Sequence, residues 1–172
     1  MTQPRIEKRL LTKTEITSLV DGIKNTVNIT GFTKNELKSF GVPYVAEING
    51  KLVGVAYATP LSKDWSELAI LFIWPEFRGK GIGTALFETA WREMVANHQS
   101  IYIVSRTKSV IELMQSKGMK FVGLINLPWS VKRDVIYYAL KSIYRIKEFV
   151  RKLIVFPGAP AYHYAIKPLH DE

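Results

Sequence analysis

Arg78, Gly79, Lys80, Gly81, Ile82, Gly83 and Thr84 are the residues whose types and spacing point most directly to chemistry. An apolar run from Leu68 to Trp74 stops at Pro75, passes through three glycines, and gives way to an amphipathic pattern from Thr84 onward. A glycine-rich turn between a buried strand and a helix leaves several backbone N–H groups unpaired and converging. The helix macrodipole adds partial positive charge at the same place. Arg78 and Lys80 add two full cations. Three glycines exceed what a tight turn requires, since each costs backbone entropy. The stretch reads as a phosphate-binding turn.

Two common phosphate loops are excluded by spacing. A Walker loop needs Gly-Lys-Ser/Thr after four residues and a first glycine, and no such triplet occurs here. A dinucleotide fingerprint needs Gly-x-Gly-x-x-Gly/Ala, and the third position holds Leu86 or Thr84, depending on the starting glycine. What remains is Arg78-x-x-Gly81-x-Gly83, preceded by Pro75-Glu76-Phe77 and followed by Thr84-Ala85-Leu86. This pattern resembles the acyl-CoA pyrophosphate loop of the GNAT superfamily of N-acetyltransferases, Gln/Arg-x-x-Gly-x-Gly/Ala.

The resemblance implies an acetyl-CoA-dependent N-acetyltransferase that passes an acetyl group directly to an amine in a ternary complex. No cysteine is available for a cysteinyl acyl-enzyme. Arg78, Gly79, Lys80, Gly81, Ile82, Gly83 and Thr84 would then hold the pyrophosphate of the cosubstrate. The strand Leu71-Phe72-Ile73 would bulge and part from Ile101–Val104, with N–H groups of Phe72 and Ile73 binding the pantetheine arm and the acyl oxygen. Glu67, at the edge of that strand, stands where several family members carry a base, and it would relay an ammonium proton through water more easily if burial raises its pKa. The plain alternative is a solvated strand-end carboxylate beside Lys63 and Asp64. Glu47 is a weaker second choice, and Asp64 and Glu76 read as loop charges. The family's usual acid, a tyrosine four residues before the glycine that closes the next helix, is replaced by Met114 ahead of Gly118, and Thr107 stands near the usual asparagine. Tyr138, Tyr144, Tyr162 and Tyr164 are candidate substitutes, none of them singled out. Without that acid, a non-catalytic acyl-CoA sensor, or an adaptor acting through its basic helix, is the alternative reading.

The elements that must position these residues follow from periodicity. Arg5–Leu11 reads as a strand, then helices from Thr14 and from Thr33 to Phe40. Tyr44–Ile48 and Leu52–Tyr57 make a hairpin through Asn49-Gly50, whose residues tolerate positive φ. Glu67–Trp74 is a central strand, apolar on both faces. Leu86, Phe87, Ala90, Met94 and Val95 stripe the next helix. Ile101–Val104, a helix from Ser109 to Lys117, and a strand from Lys120 follow. A long basic helix, residues 130–156, comes before a last strand at Tyr162–Ile166. The order is a mixed α/β sheet in one domain spanning residues 1–172, and it resembles the GNAT fold with an extra helix before the last strand.

Composition narrows the rest. A chain of 172 residues can bury a core without disulfides, and it has no cysteine to form them. His98, His163 and His170 lack metal-site spacing, so no metal is expected. No apolar run approaches the ~20 residues of a membrane helix, and no signal-peptide core is present, so a cytoplasmic protein is expected. The net charge is +9. Much of it falls between Ser130 and Leu153, where Lys132, Arg133, Lys141, Arg145, Lys147, Arg151 and Lys152 face only Asp134 and Glu148. This segment reads as a solvated face or as a docking site for an acidic partner or anionic surface. As a wall of the acceptor site, it would attract an acceptor bearing carboxylate or phosphate. No nucleic-acid-binding module accompanies it. The resemblance implies a small-molecule or peptide amine as acceptor, and the apolar stripe of the basic helix leaves a homodimer open.

Overall fold

A computed structural model describes residues 3–29, 31–97 and 99–169, with the side chains of all but 138–141 among them. His98 and His170 lie outside the described residues, as do the side chains of Tyr138 and Lys141. Seven strands form one mixed sheet: β1 (Arg5–Lys8), β2 (Tyr44–Ile48), β3 (Lys51–Pro60), β4 (Trp65–Ile73), β5 (Ser100–Ser105), β6 (Lys120–Val122) and β7 (His163–Lys167). Their spatial order is β1-β2-β3-β4-β5-β7-β6, with β4 and β5 parallel and every other pair antiparallel. The helices are α1 (Lys13–Lys24), α2 (Lys34–Ser39), α3 (Ile82–Ala96), α4 (Lys108–Ser116), α5 (Trp129–Lys141) and α6 (Ile143–Val155).

Local chemistry explains the first half. Thr12 and Thr33 cap α1 and α2 in full capping boxes with Glu15 and Glu36. Asn49 and Gly50 take φ of 51° and 73°, so β2 and β3 join through two residues. The central strands are covered on both faces. α1 and α2 pack on Val45, Val55, Tyr57, Ile70 and Phe72. α3 and α4 pack on the opposite face, over Ala46, Val53, Leu68 and Ile103. Gly22 lets α1 lie directly on Phe72, because a Cβ there would sit 2.6 Å from the ring.

The basic segment departs from expectation. It is two helices, not one, broken at Ser142, whose backbone is extended (φ −120°, ψ 102°) and whose hydroxyl accepts from Arg145 N–H at 3.4 Å. Nor is its charge simply solvated. Lys152 is buried and donates to the carbonyls of Ile23 (2.8 Å), Thr26 (2.6 Å) and Ile29, so it closes the C-terminal end of α1. Arg151 donates to Lys24 O at 2.7 Å and pairs with the buried Glu148 at 2.8 Å. The polar face of α6 is thus turned inward, onto backbone groups that need donors. Its apolar residues Ile143, Val150 and Ile154 point to solvent.

Candidate active site

β4 and β5 pair through three residues only: Trp65 with Ser100, Ser66 with Ile101, and Glu67 with Tyr102. Past that rung they separate, as the resemblance implies. The accompanying register shift lies at Ala69, between the Tyr57–Ile70 and Ala58–Leu68 pairs, rather than at Leu71-Phe72-Ile73. Trp74 N–H donates to Val53 O at 3.1 Å. Successive residues of a strand aim their N–H groups to opposite sides. Phe72, two residues earlier, therefore also turns its N–H to β3. Leu71 and Ile73 turn theirs into the gap. This corrects half of the expected pair: Phe72 contributes a buried ring, and Leu71 joins Ile73 at the opening.

The gap opens into a cavity of about 1270 Å³. Glu67, Phe72, Ile73, Arg78, Gly79, Gly81, Ile82, Gly83 and Thr84 all line it. Lys80 does not line it; its ammonium donates to Glu76 O at 3.2 Å and lies 5.3 Å from the Phe77 ring centre. The turn is built as its glycines require. Gly79 and Gly81 adopt φ of 73° and 75°, and Gly81 caps α3 without any side-chain hydrogen bond. Ala85 N–H bonds to Gly81 O at 3.0 Å, leaving the N–H groups of Ile82, Gly83 and Thr84 without helical partners. No acidic side chain occupies the first turn of α3. Arg78 is exposed beside it and donates to Ile73 O at 3.0 Å, which ties the turn to the end of β4.

Glu67 sits where the strands part. Part of its surface is open to the cavity, but protein atoms crowd its carboxyl. This desolvation raises its pKa to about 7, against a smaller opposing pull from the charge of Arg145. Such a group exchanges protons near neutrality. Glu47, the second choice, is engaged elsewhere. It accepts from Arg9 Nη2 at 2.5 Å within an ion cluster that includes Glu15. Glu76 faces Lys51 at 3.7 Å on the surface.

Met114 is fully buried against the α3 side of the core and takes no part in the cavity. Hydroxyls from other elements do. Tyr162 and Tyr164, flanking or within β7, line the cavity, as do Ser105 at the end of β5 and Thr107 and Ser109 at the start of α4. Burial raises the pKa of Tyr164, so it keeps its proton at neutral pH. The hydroxyl of Tyr144 is buried without a partner, and the side chain does not line the cavity. His163 packs edge-on to Phe121 at 6.2 Å, and among the described residues no cluster of His, Cys, Asp or Glu could hold a metal. The sequence reading did not find Phe32, Phe40, Ile146 or Phe149, which line the same cavity as Glu67. Their apolar spacing marks them only as core.

Solved structures share this architecture. N-acetylglutamate synthase from Neisseria gonorrhoeae, complexed with coenzyme A and N-acetyl-glutamate, matches with a TM-score of 0.69 and 16% identity over 99% of this chain. The chain spans 36% of that protein's length. Rv2747 from Mycobacterium tuberculosis, in complex with CoA, matches with a TM-score of 0.67 and 15% identity, over 97% of this chain and 100% of the other. The ribosomal-protein-S18-alanine N-acetyltransferase from Escherichia coli gives 0.62 and 14%, over 98% and 96%. At such identities the likeness is one of fold. No curated protein sequence matches the chain. Residues 40–119, from the end of α2 through the hairpin, the glycine turn and α4, match the acetyltransferase (GNAT) domain family. With its seven-stranded fold and this matched segment, the chain resembles the GNAT acetyltransferases.

Proposed function

We propose that the protein transfers an acetyl group from acetyl-CoA to an amine in a ternary complex. The observation that carries this reading is the convergence, in one cavity, of the unpaired N–H groups at the start of α3, the parted backbone of β4, and a carboxylate with a pKa of about 7. In this reading the pyrophosphate rests on residues 78–84. Its charge is met by α3's N–H groups and by Arg78, with Lys80 adding to the field from behind. The N–H groups of Ile73 and Leu71 bind the pantetheine arm and the acyl oxygen, which stabilises charge developing on that oxygen.

Glu67 accepts a proton from the acceptor ammonium. The nitrogen lone pair then attacks the thioester carbon, the C–N bond forms, and the C–S bond breaks with its electron pair on sulfur. The proton remaining on nitrogen neutralises the departing thiolate, directly or through water. A cytoplasmic setting is part of this reading, and among the described residues no helix is long and apolar enough to cross a membrane.

The test has two parts. Thermal stabilisation by CoA is expected and should fall when Arg78 is changed to Glu. Thiol release from acetyl-CoA with a panel of amines should depend on Glu67. CoA binding with no turnover across a broad panel would establish the sensor reading in its place.

A further inference from the structure

Much of the cavity that Glu67 lines is walled by hydrocarbon, although its own strand neighbours there, Thr59 and Tyr102, carry hydroxyls. α6 supplies Ile146 and Phe149, α5 supplies Val135 and Ile136, and the segment between α1 and β2 supplies Phe32 and Phe40, whose rings meet edge-on at 5.3 Å. Among the described lining residues, the charged ones are Glu67, Arg78 and Arg145. Arg78 belongs to the turn before α3. Arg145 is paired inside the wall, though its charge still reaches Glu67: its Nε donates to Glu36 Oε1 at 2.9 Å and its guanidinium lies 4.4 Å from the Phe32 ring centre. Among the described lining residues, Arg145 is thus the one cation that the basic segment brings to the cavity. Lys152 and Arg151 face α1 carbonyls and Glu148.

The apolar wall also continues outward. Ile136 is 52% exposed and Phe149 44%, and Val150 and Leu153 extend the surface beyond them. A carboxylate lining a largely apolar cavity suits a cationic head on a greasy body. A polyanionic acceptor would lose its hydration there and find no free cation.

We infer that the acceptor is a primary amine borne on an alkyl or arylalkyl chain, an inference that rests on the acetyl-transfer reading above for its chemistry but not for its binding. The amine nitrogen lies at Glu67, and the chain runs between α6 and the Phe32–Phe40 pair toward the mouth. Each methylene transferred from water to such a wall strengthens binding about three- to fourfold. The volume, above the usual few hundred to ~1,000 Å³ of a single-ligand site, leaves room for this body beside a thioester arm.

The experiment is a titration of butylamine, hexylamine and octylamine into the full chain by calorimetry, with and without CoA, alongside acetylation rates with acetyl-CoA. Affinity and kcat/KM are expected to rise about tenfold per two methylenes, and the rise should flatten in Phe149→Ser and Ile136→Asn. Both side chains are half exposed, so these variants are expected to fold, and thermal stabilisation by CoA should be unchanged in them. A series independent of chain length, or a preference for glutamate or phosphoethanolamine over hexylamine, overturns the inference. CoA binding with a flat series sinks this inference alone. A steep series without any CoA effect sinks the acetyl-transfer reading and leaves the apolar amine site standing.

Discussion

Glu67 and Tyr102 face each other across the last rung that joins β4 to β5. Glu67 makes Tyr102 harder to ionise. Tyr102 is buried and its pKa is raised, first by desolvation and then by the nearby Glu67. Glu67 is raised to about 7 by desolvation. The point where the sheet opens is thus also the point where a proton is most readily exchanged.

Activity should follow that ionisation. kcat/KM is expected to rise with pH through about 7 as Glu67 loses its proton. Glu67→Gln should lower it by roughly 10²–10⁴ and abolish this limb, as read by thiol release. Stability should move the other way. A carboxyl whose folded pKa is raised contributes stability that is complete below its ordinary value and is lost as pH rises through about 7. Glu67→Gln is therefore expected to stabilise the protein at pH 8 by about 2 kcal/mol, after allowance for its contact with cavity water, and to leave it unchanged at pH 4. Urea unfolding at the two pH values checks the sign.

Arg9 joins β1, α1 and β2 through one guanidinium. It bonds Glu15 at 2.6 Å and Glu47 at 2.5 Å, and it holds the Glu15 carboxyl down at about 2. For a lowered carboxyl pKa the stability is present above the ordinary value, near 4.5, and disappears as pH falls toward 2. Arg9→Met is expected to cost about 1–2 kcal/mol at pH 7 and much less at pH 2.5, since the cluster is partly exposed. Thermal unfolding across that range would show it.

Lys152 holds α6 to the end of α1. Burial lowers its pKa to about 8, yet three carbonyl acceptors take all three N–H bonds of its charged form. The ammonium is thus the form that satisfies the site at pH 7. Lys152→Met takes the ammonium from the part-buried carbonyls of Thr26 and Ile29, while Ile23 O keeps the N–H of Thr26 at 3.2 Å, and should destabilise by about 1–3 kcal/mol. Hydrogen exchange should quicken in residues 143–155 before it quickens in β2–β4.

The glycine turn can be tested apart from its cations. A Cβ on Gly81 meets nothing within 4 Å, so Gly81→Ala acts only through the φ of 75°. The cost is about 1–2 kcal/mol, and CoA affinity should fall by a similar factor. Arg78→Glu should weaken CoA about tenfold or more, with the difference shrinking in high salt. Equal affinity in both variants would remove residues 78–84 from the proposed site.

Much of this fold was legible because its signals are local. The two threonine caps, Asn49-Gly50, and the Gly81 turn each fix a boundary through their own backbone chemistry. The place of Glu67 on the strand that borders the gap was legible from the apolar run that follows it. What escaped was decided by distant partners. Composition shows that residues 130–153 are basic; it does not show that Lys152 closes α1 or that Arg145 pairs with Glu36 across 109 positions. The split at Ser142 was hidden because apolar spacing runs on through it. The turning of Phe72's N–H toward β3 depends on the register with Val55, which periodicity leaves open.

Three rungs alone stitch β1–β4 to β5–β7, so the sheet is two leaves joined at one end, with the cleft widening from Glu67. An occupant of that cleft would act as a splint, bridging backbone groups that the strands themselves leave apart. Filling the wedge should therefore stiffen the molecule as a whole.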